Sequence, residues 1–160
     1  MMDLPGVVFI GAACFVLGMV LVDVFWDTRA LEQPYTEEAS RAINAFYTNN
    51  LVGMRRRAPY LIALFPLGFL VVVTSLVYKC YHGFTAGDQH AVLTSATSIA
   101  ILFPLIGLAA ASTFPTIGML VTRGNALPLE ERRRMHRRLF FQHVVYLVLT
   151  TAAIVAHVLL

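Results

Sequence analysis

The chain has 160 residues, 58% of them hydrophobic and only 13% charged, with a net charge of +3. Soluble domains carry about 25% charged residues, so a surface covered by water is excluded, and with it a soluble basic module for nucleic acid. The length suits one domain, in which four spans of about 20 residues would use half the chain.

The first apolar run covers roughly residues 6–26 and contains Gly6, Gly11 and Gly18, small residues that let a second helix approach closely. No basic segment precedes it, so it is expected to remain as a helix. Asp23 and Asp27 lie near its far end, four residues apart and therefore on one helix face. A carboxylate at that depth is costly unless it is paired or protonated. A polar segment follows, in which Thr36 with Glu37 and Glu38 forms a helix start. Ala39, Ala42, Ile43 and Phe46 then recur at helical spacing, which predicts an amphipathic interfacial helix over roughly 36–52.

The second span is expected over roughly 60–78, with Pro66 inside it, and a short polar loop over Lys79 to His90. The third runs over roughly 91–121 and contains Pro104 and Pro115, which predict kinks. Pro128 with Glu130 and Glu131 starts a last helix, whose membrane part covers roughly 139–160. The expected fold is therefore all-α, an integral membrane four-helix bundle with an interfacial helix between its first two spans.

Four spans put both termini at one membrane face. That face holds only Lys79, whereas the opposite face holds eleven arginines. The positive-inside rule assigns the arginine-rich face to the cytoplasm or an organelle matrix, and the termini to the other side. A bacterial or mitochondrial inner membrane fits this distribution. Trp26, Tyr47, Tyr60, Tyr78 and Tyr81 fall where interfacial aromatic belts belong. Arg55, Arg56 and Arg57, together with Arg123, Arg133, Arg134, Arg137 and Arg138, form a juxtamembrane set suited to an anionic phospholipid such as cardiolipin.

Three constellations bear on chemistry. Asp23 and Asp27 face the head of the fourth span, where His143, Arg123, Arg137 and Arg138 are available as partners. On that span His136, His143, Thr150 and His157 recur every seven residues and line one face. Two stacked haems would need facing histidines on another span, and one metal ion cannot bridge His143 and His157, about 21 Å apart along a helix. No haem or metal is expected, and no P-loop, GxSxG, HExxH or CxxC motif occurs.

Several short motifs carry a likeness. Asp23-Val24-Phe25-Trp26-Asp27, Ala45-Phe46-Tyr47, Arg57-Ala58-Pro59, Thr113-Phe114-Pro115 and Arg138-Leu139-Phe140-Phe141-Gln142-His143 resemble, in order and spacing, small uncharacterised four-helix membrane proteins of bacteria. More distantly the layout is similar to anthrone-oxygenase-like membrane proteins. The resemblance implies a polar cluster of Asp23, Asp27, Pro115 and His143, and, on the oxygenase side, cofactor-poor oxidation of a polycyclic phenol. The arginine clusters depart from that pattern.

With no self-contained catalytic set in the sequence, the first functional expectation is a non-catalytic accessory subunit of a larger, energy-transducing or respiratory membrane complex. The rival expectation is a small membrane enzyme or lipophilic-ligand binder. Its pocket would lie at the arginine-rich end of spans one, three and four, with Asp23, Asp27 and His143 as candidates for its chemistry.

Overall fold

The structure, a computed structural model, describes residues 3–49 and 59–160. Its helices are α1 (Leu4–Asp27), α2 (Glu37–Thr48), α3 (Pro59–Ala86), α4 (Gln89–Leu108), α5 (Phe114–Arg123) and α6 (Leu129–Leu159). Short 3-10 turns follow α1 and α5, and a π-helical segment, Ala109–Thr113, joins α4 to α5. Among the described residues there is no strand, and four helical stretches are long and apolar enough to cross a membrane. The chain is an all-α, four-helix membrane bundle.

α1 packs on α3 and α6, and α4 packs on the same two helices, so the four close a ring. Phe9, Ala13, Val72, Leu76, Leu102, Leu105 and Ala153 fill its centre. The outer faces carry exposed Phe15, Leu21, Val22, Leu70, Phe103 and Val148, among others. In water such a surface would drive aggregation, whereas in lipid it is the ordinary exterior of a span.

The expected loop over Lys79 to His90 is a correction. The second span does not stop near Tyr78: α3 continues to Ala86, and α4 starts at Gln89. Gly87 takes a left-handed φ of 74°, which only glycine adopts at no cost. Asp88 N–H bonds back to Gly83 O at 2.8 Å and Gly87 N–H to Phe84 O at 3.4 Å, the paired return bonds that end a helix on glycine. Asp88 then caps the next helix by accepting from Ala91 N–H at 3.0 Å. Two residues thus suffice where twelve were expected.

The third span passes through a π-helical segment just before Pro115. Pro115 has no N–H to give the preceding turn, and the wider register just before it absorbs that loss. Phe114 N–H reaches back to Ala109 O. The last span begins ten residues before its expected membrane part. At 1.5 Å per residue a helix of this length measures about 46 Å, against roughly 30 Å of hydrocarbon, so its arginine-bearing head stands clear of the bilayer core.

α2 starts as its sequence dictates, with Thr36 accepting from Ala39 N–H at 3.1 Å. It does not merely lie on the interface. Ala39, Ser40, Ile43, Asn44 and Tyr47 are buried against protein, on α5, α6 and the 3-10 turn after α1. With Ala30, Tyr35, Leu120 and Leu139 the apolar members of this face form a second core at the end of the bundle away from the termini. Residues 50–52 of the expected interfacial helix, and Arg55–Arg57, lie outside the described residues.

Two outcomes follow. A Cβ on Gly83 would meet Ala91 Cβ at 2.9 Å and backbone of Asp88 and Val92 at 3.1 and 3.2 Å, whereas one on Gly118 would meet nothing. Overpacking costs about 1–3 kcal/mol, more than the roughly 1 kcal/mol gained from alanine's helix propensity. Gly83→Ala is therefore expected to lower the melting temperature in detergent, and Gly118→Ala to leave it unchanged or raise it. Separately, the Arg132 guanidinium bonded to Glu37 holds that carboxyl below its ordinary value of 4.5. A depressed carboxyl stabilises the fold fully above its unfolded value and ceases to do so as pH falls through the folded one. Melts below pH 4.5 should accordingly fall more steeply for the wild type than for Glu37→Gln, by a small amount, since Glu37 is exposed.

A buried acid–histidine cluster as candidate functional site

The last turn of α1 carries Asp23 and Asp27 on the face turned toward α6. Asp27 is completely buried. Its two oxygens share the one Tyr47 hydroxyl proton, with the phenol oxygen 2.7 Å from Oδ1 and 2.9 Å from Oδ2, and its Oδ2 lies 2.7 Å from His143 Nδ1. An ionised carboxylate has no proton to give, so Nδ1 carries the proton of this contact. That sets the tautomer of a neutral His143: Nε2 is left as an acceptor. Asp23 Oδ2 stands 4.0 Å from Nε2, beyond hydrogen-bond length, and among the described residues His143 makes no other hydrogen bond. The Asp23 side chain is 31% exposed, whereas those of His143 and Asp27 are 4% and 0%.

Tyr47 keeps its proton firmly. Burial, with the adjacent Asp27 and Asp23 carboxylates, holds its phenol well above the usual tyrosine value. It is therefore a permanent donor that pins Asp27. The belt role expected for Tyr47 is corrected, since only 3% of it is exposed. Trp26 stacks on Phe46 at 5.2 Å, and Tyr78 and Tyr81 are exposed.

A second polar chain lies one helical stretch nearer the head of α6. His136, fully buried, has Nδ1 at 2.5 Å from the Tyr35 hydroxyl and Nε2 at 2.9 Å from Asn44 Oδ1. Arg132 pairs with Glu37. A third involves the π segment: Thr113 bonds to Gln142 Oε1 at 3.1 Å and to the Tyr146 hydroxyl at 2.6 Å, and Gln142 also reaches Ser112. At the opposite end of the bundle Lys79 joins Asp3 at 3.3 Å and His157 at 3.3 Å, and the other His157 nitrogen lies 3.4 Å from Ser98 Oγ. The face of α6 holding His136, His143, Thr150 and His157 is thus buried along its length, and each histidine is tied to a different helix.

Asp23, Asp27 and His143 come together, but Pro115 does not join them: it is exposed at the start of α5. The third span's own polar contribution comes from Ser112 and Thr113. Arg123, Arg134, Arg137 and Arg138 are exposed, and among the described residues none of them bonds to either aspartate. Arg133 is half-buried, 3.7 Å from Glu130 and over the Tyr35 ring. The residues not singled out from sequence are Tyr35, Asn44 and, beyond its place in the Arg138–His143 motif, Gln142. Asn44 was findable, since it falls seven residues after Glu37 on the face that holds Ile43 and Tyr47. Two clefts open at this end of the bundle, and Asp23, Asp27 and His143 line neither.

Neither family models, curated proteins nor solved structures give a match to this chain.

The cluster makes a thermodynamic expectation. Hydrogen bonds to a charged group contribute about 1.5–3 kcal/mol each. Tyr47→Phe and His143→Gln each remove a contact to Asp27, and together they leave that buried carboxylate with neither. The double variant is expected to lose more stability than the two singles combined, by about 0.5–3 kcal/mol, measured as a double-mutant cycle of chemical unfolding in detergent.

Proposed function

We propose that this chain is a small membrane protein that exchanges a proton with a lipophilic weak acid at the Asp23–His143 pair. The observation that carries the reading is the orientation of His143. Its Nδ1 is committed to the buried Asp27, so the basic nitrogen is Nε2, and Nε2 faces the one aspartate of the pair that is partly exposed. A buried carboxylate orienting a histidine by Nδ1 is the arrangement by which a general base is held in one tautomer. A ligand hydroxyl reaching Nε2 would lose its proton there, giving an anion and an imidazolium. Asp27 at 2.7 Å and Asp23 at 4.0 Å stand beside that imidazolium as its counter-charges. An ionisable group at membrane depth is costly and marks a functional position more often than a bystander. The likeness to anthrone-oxygenase-like membrane proteins points the ligand class toward a polycyclic phenol.

The test uses the purified protein in detergent with 2-naphthol, whose neutral and ionised forms differ in absorbance. Wild type should increase the ionised fraction at neutral pH in proportion to protein. His143→Gln should abolish the increase, and Asp27→Asn should reduce it about ten-fold or more, the scale of a general-base contribution, with cooperative melting kept in both. An unchanged naphthol spectrum with wild type, or an equal response from His143→Gln, would overturn the reading.

A second reading has its own support. Gly11, Cys14 and Gly18 lie exposed on one outward ridge of α1, and a Cβ added at either glycine would meet nothing. Such a ridge suits close packing of a foreign helix, as an accessory subunit of a larger membrane complex requires. Gly11→Leu with Gly18→Leu should then shift the endogenous protein to lower mass on a native gel. A 17.7 kDa species migrating alone before substitution would sink it.

A further inference from the structure

The head of α6 carries Arg132, Arg133, Arg134, Arg137 and Arg138, and the helix sorts them into two groups. At about 100° per residue, positions two apart fall on nearly opposite sides. Arg132, His136, Leu139 and His143 follow one row along the helix, and all four are buried. The same row shifted by two residues reads Arg134, Arg138, Phe141 and Val145, and all four are exposed. Val148 continues it. One row faces protein and the other faces outward.

The inward arginines are engaged with the chain itself. Arg132 pairs with Glu37. Arg133 is half-buried, 3.7 Å from Glu130 and over the Tyr35 ring. Arg134 and Arg138 instead stand in line above Phe141, Val145 and Val148, which are 54%, 41% and 57% exposed. Exposed Arg137 lies beside them. Glu130 and Glu131 sit farther out, in the first turn of α6, where the helix dipole favours carboxylates.

Lengths along the helix give the row its meaning. Arg134 and Arg138 are one turn apart, about 6 Å along the axis. The polar layer on each side of the hydrocarbon is about 5–8 Å deep. Phe141 comes about 4.5 Å below Arg138, where the apolar part of the row begins. Two guanidinium groups spread over the headgroup layer, with an apolar strip directly beneath, match a phosphate above and an acyl chain below. Guanidinium forks fit phosphate oxygens, and long arginine stems let heads on successive turns converge. A soluble anion would leave the strip unused. A topology signal requires positive charge at this face, but no shared phase with a lipid-facing strip.

We propose that this outward row of α6 binds an anionic phospholipid of the arginine-side leaflet. Arg134 and Arg138 hold the phosphate, with Arg137 beside it, and one acyl chain lies along Phe141, Val145 and Val148. Of the arginines that the sequence offers to anionic lipid, the row selects these three. The site is independent of proton exchange at His143.

The experiment follows the quenching of one indole. Trp26 is the single tryptophan of the chain, so Trp26→Phe with Phe141→Trp moves the fluorophore onto the row. The full chain is reconstituted into vesicles of phosphatidylcholine and phosphatidylglycerol. One lipid at a time is brominated near the glycerol end of its acyl chains. Phosphatidylglycerol should occupy the site about five-fold or more in preference to phosphatidylcholine, the scale of one arginine near a charged leaflet. Arg138→Gln alone should lower that preference about two-fold or more, and Arg134→Gln with Arg138→Gln should bring the two lipids to parity. Arg41→Gln removes an exposed charge of α2 at the same membrane face, and should leave the preference unchanged. No preference before the arginine substitutions, a preference that survives the double one, or an equal loss with Arg41→Gln would overturn the proposal.

Discussion

Everything at the arginine-rich end of this bundle is arranged around one carboxylate that water does not reach. Asp27 is the last residue of α1, and its two oxygens receive a phenol from α2 and an imidazole from α6. An uncompensated carboxylate in such a place would cost several kcal/mol. The sequence meets that cost by bringing two further helices to the same point. The constraint acts in three directions at once. It holds α2 down on the bundle, fixes the rotation of α6, and orients the imidazole so that its basic nitrogen faces Asp23.

The remaining polar contacts repeat the device on a smaller scale. Asn44 and Tyr35 bracket His136, and Glu37 receives Arg132. The π segment offers Ser112 and Thr113 to Gln142 and Tyr146. Lipid cannot drive apolar helices together as water does, since its chains are as apolar as the helices themselves. Interhelical polar bonds and close packing take over that role, which explains why so many buried groups of α6 are polar.

The spans were legible because their apolar content is extreme, and the start of α2 because Thr36, Glu37 and Glu38 each serve a free helix end. The heptad spacing of His136, His143, Thr150 and His157 likewise placed them on one face. The partners were harder to see. Tyr47 carries the composition of a belt residue, and nothing local says that its hydroxyl turns inward, because that depends on how α2 docks. The loop between α3 and α4 was placed over Lys79 to His90 because polar residues cluster there. Gly87 followed by Asp88 was the real signal, one residue ending a helix and the next beginning another. Pro115 drew notice as a kink, but proline contributes through the proton it lacks, and the side chains that serve the polar contacts of the π segment before it are Ser112 and Thr113.

α6 is an unbroken helix of 31 residues, and it makes matched contacts near both ends on one face: Asp27 through His143, and Ser98 and Lys79 through His157. A helix engaged at two distant points behaves like a keyed shaft. Sliding it by one residue would also turn it by about 100°, withdrawing both histidines from their seats together. Small axial slips are thereby opposed at both ends of the helix at once.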